Sequence, residues 1–401
     1  MTEKLYDSDP YGKKFKSHIT SAAPTADGRL DIVLESTLFF PEEGGQTCDK
    51  GTLKINNHIF DVSSVIIEND TIHHLVSPAD GTAVLPAPGD MANGEIDFNH
   101  RYSNMQNHTG EHIFSGIIHE KFGYDNVGFH LSDNEVTMDY NGTLTDSDVA
   151  SVENKVNQVI RSRIPVVCRY PSKEELSTMD YRSKKEIEGP VRIVTIEGVD
   201  VCACCAPHVK NTVEVGLLKV LSRQNYKGGT RLSILCGMRA VSDYIQCRKE
   251  LIEISHLIKR PAGEAYEYLS HLMEERDSLK YEIKKMSGKL LLIEAEKAAV
   301  KDKNTFIFFD NETDPDAARE CVNQMCKKTG SLFGIFWKIK STAMSWRYII
   351  GRSSPSDDAR DACTLLKKTF GAKGGGSASM VQGNVNASEK DIRDCLDQFL
   401  N

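Results

Sequence analysis

Two short segments far apart in the chain must meet if either is to do what its residues suggest. His108-Thr109-Gly110-Glu111-His112 carries a His-x-x-x-His pair, and Cys204-Cys205-Ala206-Pro207-His208 carries a Cys-x-x-x-His pair. Residues four apart on a helix project from one face, so His108 and His112 can grip one ion together. Cys204 and His208 repeat the spacing. Neutral imidazole and thiolate are both zinc donors, and two such pairs complete a four-coordinate set. Read singly, the first pair is equally two ordinary helical histidines, and Cys204 a buried thiol near a turn. Read together, the pairs predict one zinc site with His108, His112, Cys204 and His208 as ligands.

The length, 401 residues, allows two to four domains. With 40% hydrophobic and 26% charged residues, the composition is that of a soluble globular protein. Met1 to Ser17 is polar and mixed in charge, without the apolar stretch of a signal peptide. No run approaches the ~18 consecutive apolar residues of a membrane span, so a cytoplasmic location without membrane contact is expected. The cysteines number 11, an odd count scattered along the chain, which fits reduced thiols and metal ligands better than disulfides. A net charge of -8 excludes a protein that coats nucleic acid through bulk charge; any such contact must be local. Candidate basic clusters are Lys13, Lys14 and Lys16; Arg182, Lys184 and Lys185; Lys227 and Arg231; and Lys367, Lys368 and Lys373. Each is otherwise a solvated face.

Residues 18–88 read as short strands, with Asp27-Gly28, Asn56-Asn57 and Asn69-Asp70 as turns, which predicts a small β-barrel. Within it, Pro41-Glu42-Glu43-Gly44-Gly45-Gln46 reads as a loop whose glycines let backbone approach a ligand, with Gln46 offering donor and acceptor. Pro86, Pro88 and Gly89 mark a junction. Residues 104–122 follow an amphipathic helical spacing that sets His108, His112, Ser115 and His119 on one face. Strands over 127–140, with His130 among them, a helix over 146–163, a β-run at 191–196 and a hairpin around Lys227-Gly228-Gly229-Thr230 suggest an α+β domain. Between 241 and 300, Leu269, Leu272, Leu279, Ile283, Met286, Leu290 and Ile293 follow heptad spacing. A helical hairpin or short coiled coil is expected there, broken at Pro261 and Gly263, with a second helix about 55 Å long. Residues 303–401 read as an α/β domain in which Gly371-Ala372-Lys373-Gly374-Gly375-Gly376-Ser377 forms a loop suited to phosphate, without the order of a nucleotide P-loop.

With these motifs assembled, the chain resembles the AlaX family of stand-alone alanyl-tRNA editing proteins in their long form, over nearly its whole length. The family's Gly-Gly-Gln loop is matched by Gly44-Gly45-Gln46, its His-x-x-x-His by His108 and His112, and its Cys-x-x-x-His by Cys204 and His208. The glycine-rich signature of the DHH-associated domain is similar to Gly374-Gly375-Gly376 with Met380 and Gln382. The resemblance implies four parts: a β-barrel over 1–89, a zinc-containing α+β editing domain over 90–240, a helical linker or coiled coil over 241–302, and a DHH-associated α/β domain over 303–401. It implies hydrolysis of the ester joining serine or glycine to alanine tRNA. Gln46, Thr109 and His130 are the candidates for recognising the substrate hydroxyl, and Lys373 with Gly374, Gly375 and Gly376 the candidates for contacting tRNA. A homodimer through the linker and last domain is a further expectation. The chain departs from the family where its usual Cys-Gly-Gly-Thr-His becomes Cys204-Cys205-Ala206-Pro207-His208, and where Glu43 replaces a small residue; Cys202 and Cys205 are rival thiols for the metal.

Two other readings compete. His108 to His112 also satisfies the H-x-x-E-H pattern of inverzincin peptidases, with Glu111 as general base and Glu186 or Glu188 in reach as third ligand. That leaves Cys204, His208 and both glycine segments unexplained. The other is a non-catalytic tRNA-binding protein that keeps the fold.

Overall fold

The computed structural model describes residues 1–79, 81, 84–183, 189–299, 303–339, 344–353 and 357–397. They fall into two units, Met1–Ile252 and Glu253–Asn401.

The first unit begins with a closed six-stranded barrel: β1 (Lys14–Pro24), β2 (Leu30–Leu34), β3 (Gly51–Ile55), β4 (His58–Glu68), β5 (Thr71–Pro78) and β6 (Met91–Ile96), in the order β1-β2-β5-β4-β3-β6 and antiparallel throughout. Alternate residues point inward, as the period of two requires: Phe15, Ile19, Ile32, Leu53, Phe60, Val76 and Ala92 fill the core. The closing strand β6 lies beyond the Pro86–Gly89 segment read as a junction and pairs with both β1 and β3. The barrel therefore extends further along the chain than the turn residues suggest, because their composition marks a connection but not its rank in the fold.

One wall of the barrel holds a buried histidine. His74 Nδ1–H donates to the Ile32 carbonyl and Nε2 accepts from Thr37 Oγ1, each at 2.9 Å. Burial pushes its pKa down to about 4, so the folded protein keeps it neutral where an unfolded chain titrates near 6.5. Between those values the unfolded state binds the extra proton. Stability is then full above about pH 6.5 and declines as pH falls, by about 3 kcal/mol at pH 4. Urea midpoints at pH 7 and pH 4 should show that loss in the native protein and a loss smaller by this amount in His74→Gln; equal losses would refute it.

After the barrel comes α1 (Phe98–Phe122), started by Asp97, whose carboxylate accepts from the backbone N–H of Asn99 and His100, and stopped by Gly123 in the left-handed region. Its polar face, which carries His108 and His112, is buried as well as its apolar one. Residues from Arg101 to Ile118 are buried on nearly every side, and the polar ones find protein partners: Asn107 Oδ1 accepts from Cys236 N–H, Gln106 donates to the Glu214 carbonyl, and Arg239 donates to Asn104. Around α1 stand a four-stranded sheet, β7 (Asn126–Leu131), β8 (Val136–Tyr140), β12 (Leu218–Tyr226) and β13 (Gly229–Cys236), and a helix, α2 (Asp146–Arg161). A three-stranded sheet, β9 (Val166–Arg169), β10 (Ile193–Ile196) and β11 (Asp200–Ala203), delivers the second ligand segment. Helix α3 (Gly237–Ile258) ends just short of Pro261.

In the second unit, α4 (Ala265–Ala298) is a single long helix with Leu291 and Ala295 buried against α5 (Pro315–Thr329), while Leu272, Leu279, Ile283, Met286 and Leu290 of the heptad seam are exposed. A mixed sheet follows: β14 (Thr305–Phe309), β15 (Phe333–Lys338), β16 (Ser345–Gly351), β17 (Lys373–Gly376) and β18 (Met380–Asn386), in the order β14-β15-β16-β18-β17. Helices α6 (Ala359–Phe370) and α7 (Glu389–Asp397) cover one face. Lys373 to Gly376, expected as a loop, is the edge strand. Gly374 is needed for close packing: a Cβ there would lie 2.4 Å from Tyr348 Oη and 2.6 Å from the Gln382 carbonyl oxygen. Half of the backbone groups of this strand are therefore tied into the ladder with β18. No helix among the described residues is long and apolar enough to cross a membrane.

Candidate functional site

The two motifs meet. His108, His112, Cys204 and His208 place one ligand atom each within 4.8 Å of one another, and all lie deep in the first unit. Cys204 Sγ is 3.5 Å from His108 Nε2 and 3.3 Å from His208 Nε2. A tetrahedral zinc ion with ordinary bond lengths needs sulfur and nitrogen ligands about 3.6 Å apart, so the donors are already near their working separation. The imidazole centroids stand 4.8 to 5.5 Å apart.

Each imidazole is fixed from behind, which decides the nitrogen it turns inward. His108 Nδ1 is 2.8 Å from Gln46 Oε1. His112 Nδ1 is 2.8 Å from Asp200 Oδ2, and Arg182 in turn donates through Nε to Asp200 Oδ1 at 2.8 Å and through Nη2 to Oδ2 at 3.0 Å. His208 Nδ1 is 3.0 Å from Thr109 Oγ1. In all three rings Nδ1 takes an outer partner, which leaves Nε2 for an ion.

The electrostatics suit such an ion. Burial alone would raise the Cys204 thiol, but the facing His108 and His208 imidazoles outweigh it and hold the group well below its ordinary value. Burial pushes the His208 imidazole down, to about 3, against the pull of the Cys204 sulfur. At His112 burial works the same way and loses to Asp200, which raises that pKa well above the usual value. The cluster is thus one thiolate-favouring sulfur among three imidazoles, a donor set that fits zinc. Cys205 behaves differently: burial raises its thiol, and its sulfur lies against the Gly44 position of the Gly-Gly-Gln loop. Cys202 gathers with His112 and Asp200 on the outer side of the cluster.

The Gly-Gly-Gln loop reaches the cluster because it is fastened to β7. Leu131 N–H donates to the Gly45 carbonyl at 2.7 Å, and Thr47 N–H donates to the Leu131 carbonyl at 3.0 Å. Gly45 has φ +83°, and a Cβ there would meet the Phe129 carbonyl oxygen at 2.3 Å. Gln46 is fully buried; its Oε1 serves His108 and its Nε2 has no protein partner.

The other sequence candidates are placed elsewhere. Thr109, read as a substrate contact, has its hydroxyl engaged by His208 and by the Val209 N–H, and so acts on a ligand. His130 is exposed on β7, where strand alternation turns Phe129 instead toward His108, 4.7 Å between centroids. Glu111 is buried, its Oε1 accepting from Ser115 at 2.8 Å and Asn126 at 2.5 Å. Its Oε2 lies 3.9 Å from His112 Nε2. Glu186 and Glu188, with Lys184 and Lys185, lie outside the described residues. Asp200 and Arg192 carry no signal in the sequence, and Arg182, read there as part of a basic cluster, instead pairs with Asp200 behind His112. Arg192 Nη1 donates to the Cys204 and Ala206 carbonyls at 3.0 and 2.8 Å and shapes the turn between the two ligands. Ala206 of the altered Cys-Cys-Ala-Pro-His segment packs into the barrel core.

Residues 11–100 match the model of the tRNA synthetases class II (A), and residues 191–233 that of the threonyl and alanyl tRNA synthetase second additional domain. The alanyl-tRNA editing protein AlaX-L of Pyrococcus horikoshii is 28% identical over 414 residues, covering 98% of this chain and 97% of its own. The alanyl-tRNA editing protein AlaX-M of Methanosarcina acetivorans is 34% identical over 235 residues, 56% of this chain and 94% of its own. The alanyl-tRNA editing protein Aarsd1 of Rattus norvegicus is 30% identical over 255 residues, 59% of each chain.

Proposed function

We infer that this protein, which belongs to the AlaX family of alanyl-tRNA editing proteins, edits by hydrolysing the ester between serine or glycine and the 3′ end of alanine tRNA, at a zinc ion held by His108, His112, Cys204 and His208. The observation that carries the reading is the convergence of three inward Nε2 atoms and one sulfur within 4.8 Å, in a chain of this family.

An aminoacyl ester is already activated, so positioning does most of the chemical work. Bound zinc would supply a Lewis acid for a carbonyl or water, or an anchor for the amino acid's own polar groups. With all four donors used, a tetrahedral ion has no position left for water, which favours a structural role, or an anchoring one in which the substrate adds a further ligand. The protein's residues account for selectivity. Serine and alanine differ by a hydroxyl, and a site rejects the analogue lacking it only when buried polar groups would be left unpaired. Gln46 provides such a group: a buried amide N–H without a protein partner, beside His108. Gly44 and Gly45 keep the same loop free of side chains. Glu111 serves as a buried acceptor that holds Ser115 and Asn126 in place, and the presence of Cys204 and His208 in the ligand set leaves the peptidase reading without support.

The second unit is read as the DHH-associated domain of the family, with Lys373 beside the glycine strand as its tRNA contact. The exposed seam of α4 is read as the surface for self-association.

The decisive experiment is deacylation of Ser-, Gly- and Ala-charged alanine tRNA by the purified protein, with zinc quantified. The serine or glycine ester should be lost rapidly and the alanine ester spared. A zinc-loaded protein that cleaves none of the three would overturn the assignment.

A further inference from the structure

One basic cluster of the first unit is organised in a way that the editing site does not account for. Tyr11, Phe98 and Tyr102 form an aromatic group: Phe98 and Tyr102 stack at 5.8 Å, and Tyr11 lies 6.1 and 6.3 Å from them. Two ammonium groups rest on it. Lys13 Nζ is 4.5 Å over the Phe98 ring and Lys210 Nζ 4.7 Å over the Tyr11 ring. The base is rigid: Tyr11 donates to Glu214 at 2.6 Å and accepts from the Lys210 backbone N–H at 3.0 Å, while buried Arg101 holds the preceding Pro10 carbonyl. Neighbouring lysines are neutralised, Lys14 by Glu95 and Lys50 by Asp133. Among the described residues, no ion pair is recorded for Lys13 or Lys210.

We propose that Lys13 and Lys210, held by the Tyr11, Phe98 and Tyr102 rings, clamp the backbone phosphates at the single-stranded 3′ end of the bound tRNA. The inference rests on the editing reading for the identity of that end. Phe98 is covered by Tyr102 and by Lys13, and Lys210 lies over Tyr11, so these rings hold charges in place. What the surface offers is two positioned charges, and a chain of net charge -8 must hold RNA through such local groups. The location agrees. Lys210 follows the ligand His208 by two residues, and Tyr102 precedes His108 on the same helix by about 9 Å of rise. Immobilising the lysines beforehand removes an ordering cost that free side chains would meet on binding.

The test is binding of alanine tRNA to the full chain across a salt series, by fluorescence anisotropy, for the native protein and Lys13→Gln/Lys210→Gln. Both positions are exposed, so the fold should survive. Losing two single-strand phosphate contacts should reduce the slope of log K against log salt by about 1.4 and weaken binding on the order of twenty-fold at 0.1 M salt. The KM for deacylation should rise in step with kcat unchanged. Phe98→Leu, which keeps both charges and frees one, should weaken binding less and leave the slope as it is. With tRNA shortened by its last three nucleotides, native and double-variant proteins should bind alike. An unchanged slope in the double variant, or a difference that persists on shortened tRNA, overturns the proposal. A native protein that binds tRNA with the expected slope yet cleaves no ester overturns the deacylase reading instead and leaves the clamp standing.

Discussion

Replacing Arg101 with alanine should destabilise the first unit by about 3–5 kcal/mol, the cost of leaving a buried charge without its partner. Arg101 and Asp49 have fully buried side chains. The guanidinium Nε donates to both Asp49 oxygens, at 2.9 and 3.0 Å, and its two Nη atoms reach the Pro10 and Leu38 carbonyls and Asp49 again. Asp49 also accepts from the Phe40 backbone at 2.6 Å. The arginine belongs to α1 and all its acceptors to the barrel segment, so one side chain fastens the ligand-bearing helix to the barrel. A domain of this size should lose roughly 10 °C in Tm. Substituting both members by apolar residues, Arg101→Met with Asp49→Leu, should recover much of the loss, since no charge is then stranded. Urea denaturation of the three variants decides the matter. A single variant within about 1 kcal/mol of the native protein would mean that water reaches the pair.

Removing a metal donor should have the largest effect on activity. Cys204→Ala takes away the sulfur that lies within 3.5 Å of two ligand nitrogens. Zinc content should fall to background, and deacylation should drop on the order of 10³-fold, the several kcal/mol that an ion contributes to such chemistry. Chelation of the native protein should reproduce the loss and zinc should reverse it. Asp200→Asn keeps every ligand and changes only the charge behind His112; it should cost about 10–100-fold in metal affinity. A Cys204→Ala protein that still carries one zinc per chain would move the sulfur ligand to Cys202 or Cys205.

The convergence of His108, His112, Cys204 and His208 was legible because spacing four is a local property of a helix or turn, and the residue types at those positions have few other joint uses. The partners behind the ligands were not legible. Asp200 and Arg182 meet His112 only through the pairing of β10, β11 and the segment before them, and no sequence interval encodes that contact. His130 is exposed one residue from the side chain that meets the cluster: a strand shows alternate side chains to opposite faces, so Phe129 takes the place next to His108. Glycine has no periodic signal, so 374–376 reads as a loop, whereas it is an edge strand in which Gly374 admits Tyr348 and the neighbouring β18. Helix α1 is legible as a helix from its apolar spacing, but the partners of its polar residues, Cys236, Glu214 and Arg239, lie more than 100 residues away and leave no local signal.

The metal cluster draws on three distant stretches of chain, Gln46, the 108–112 turn and the 200–208 hairpin and turn. Such a site has a history as well as a geometry. A nascent chain cannot assemble it until residue 208 has left the ribosome and the barrel, central helix and small sheet have found one another, contacts of high sequence separation that form late. Zinc uptake at this cluster would therefore be a record of completed folding, and half-folded molecules, offering only the His108–His112 pair, would compete poorly for the ion.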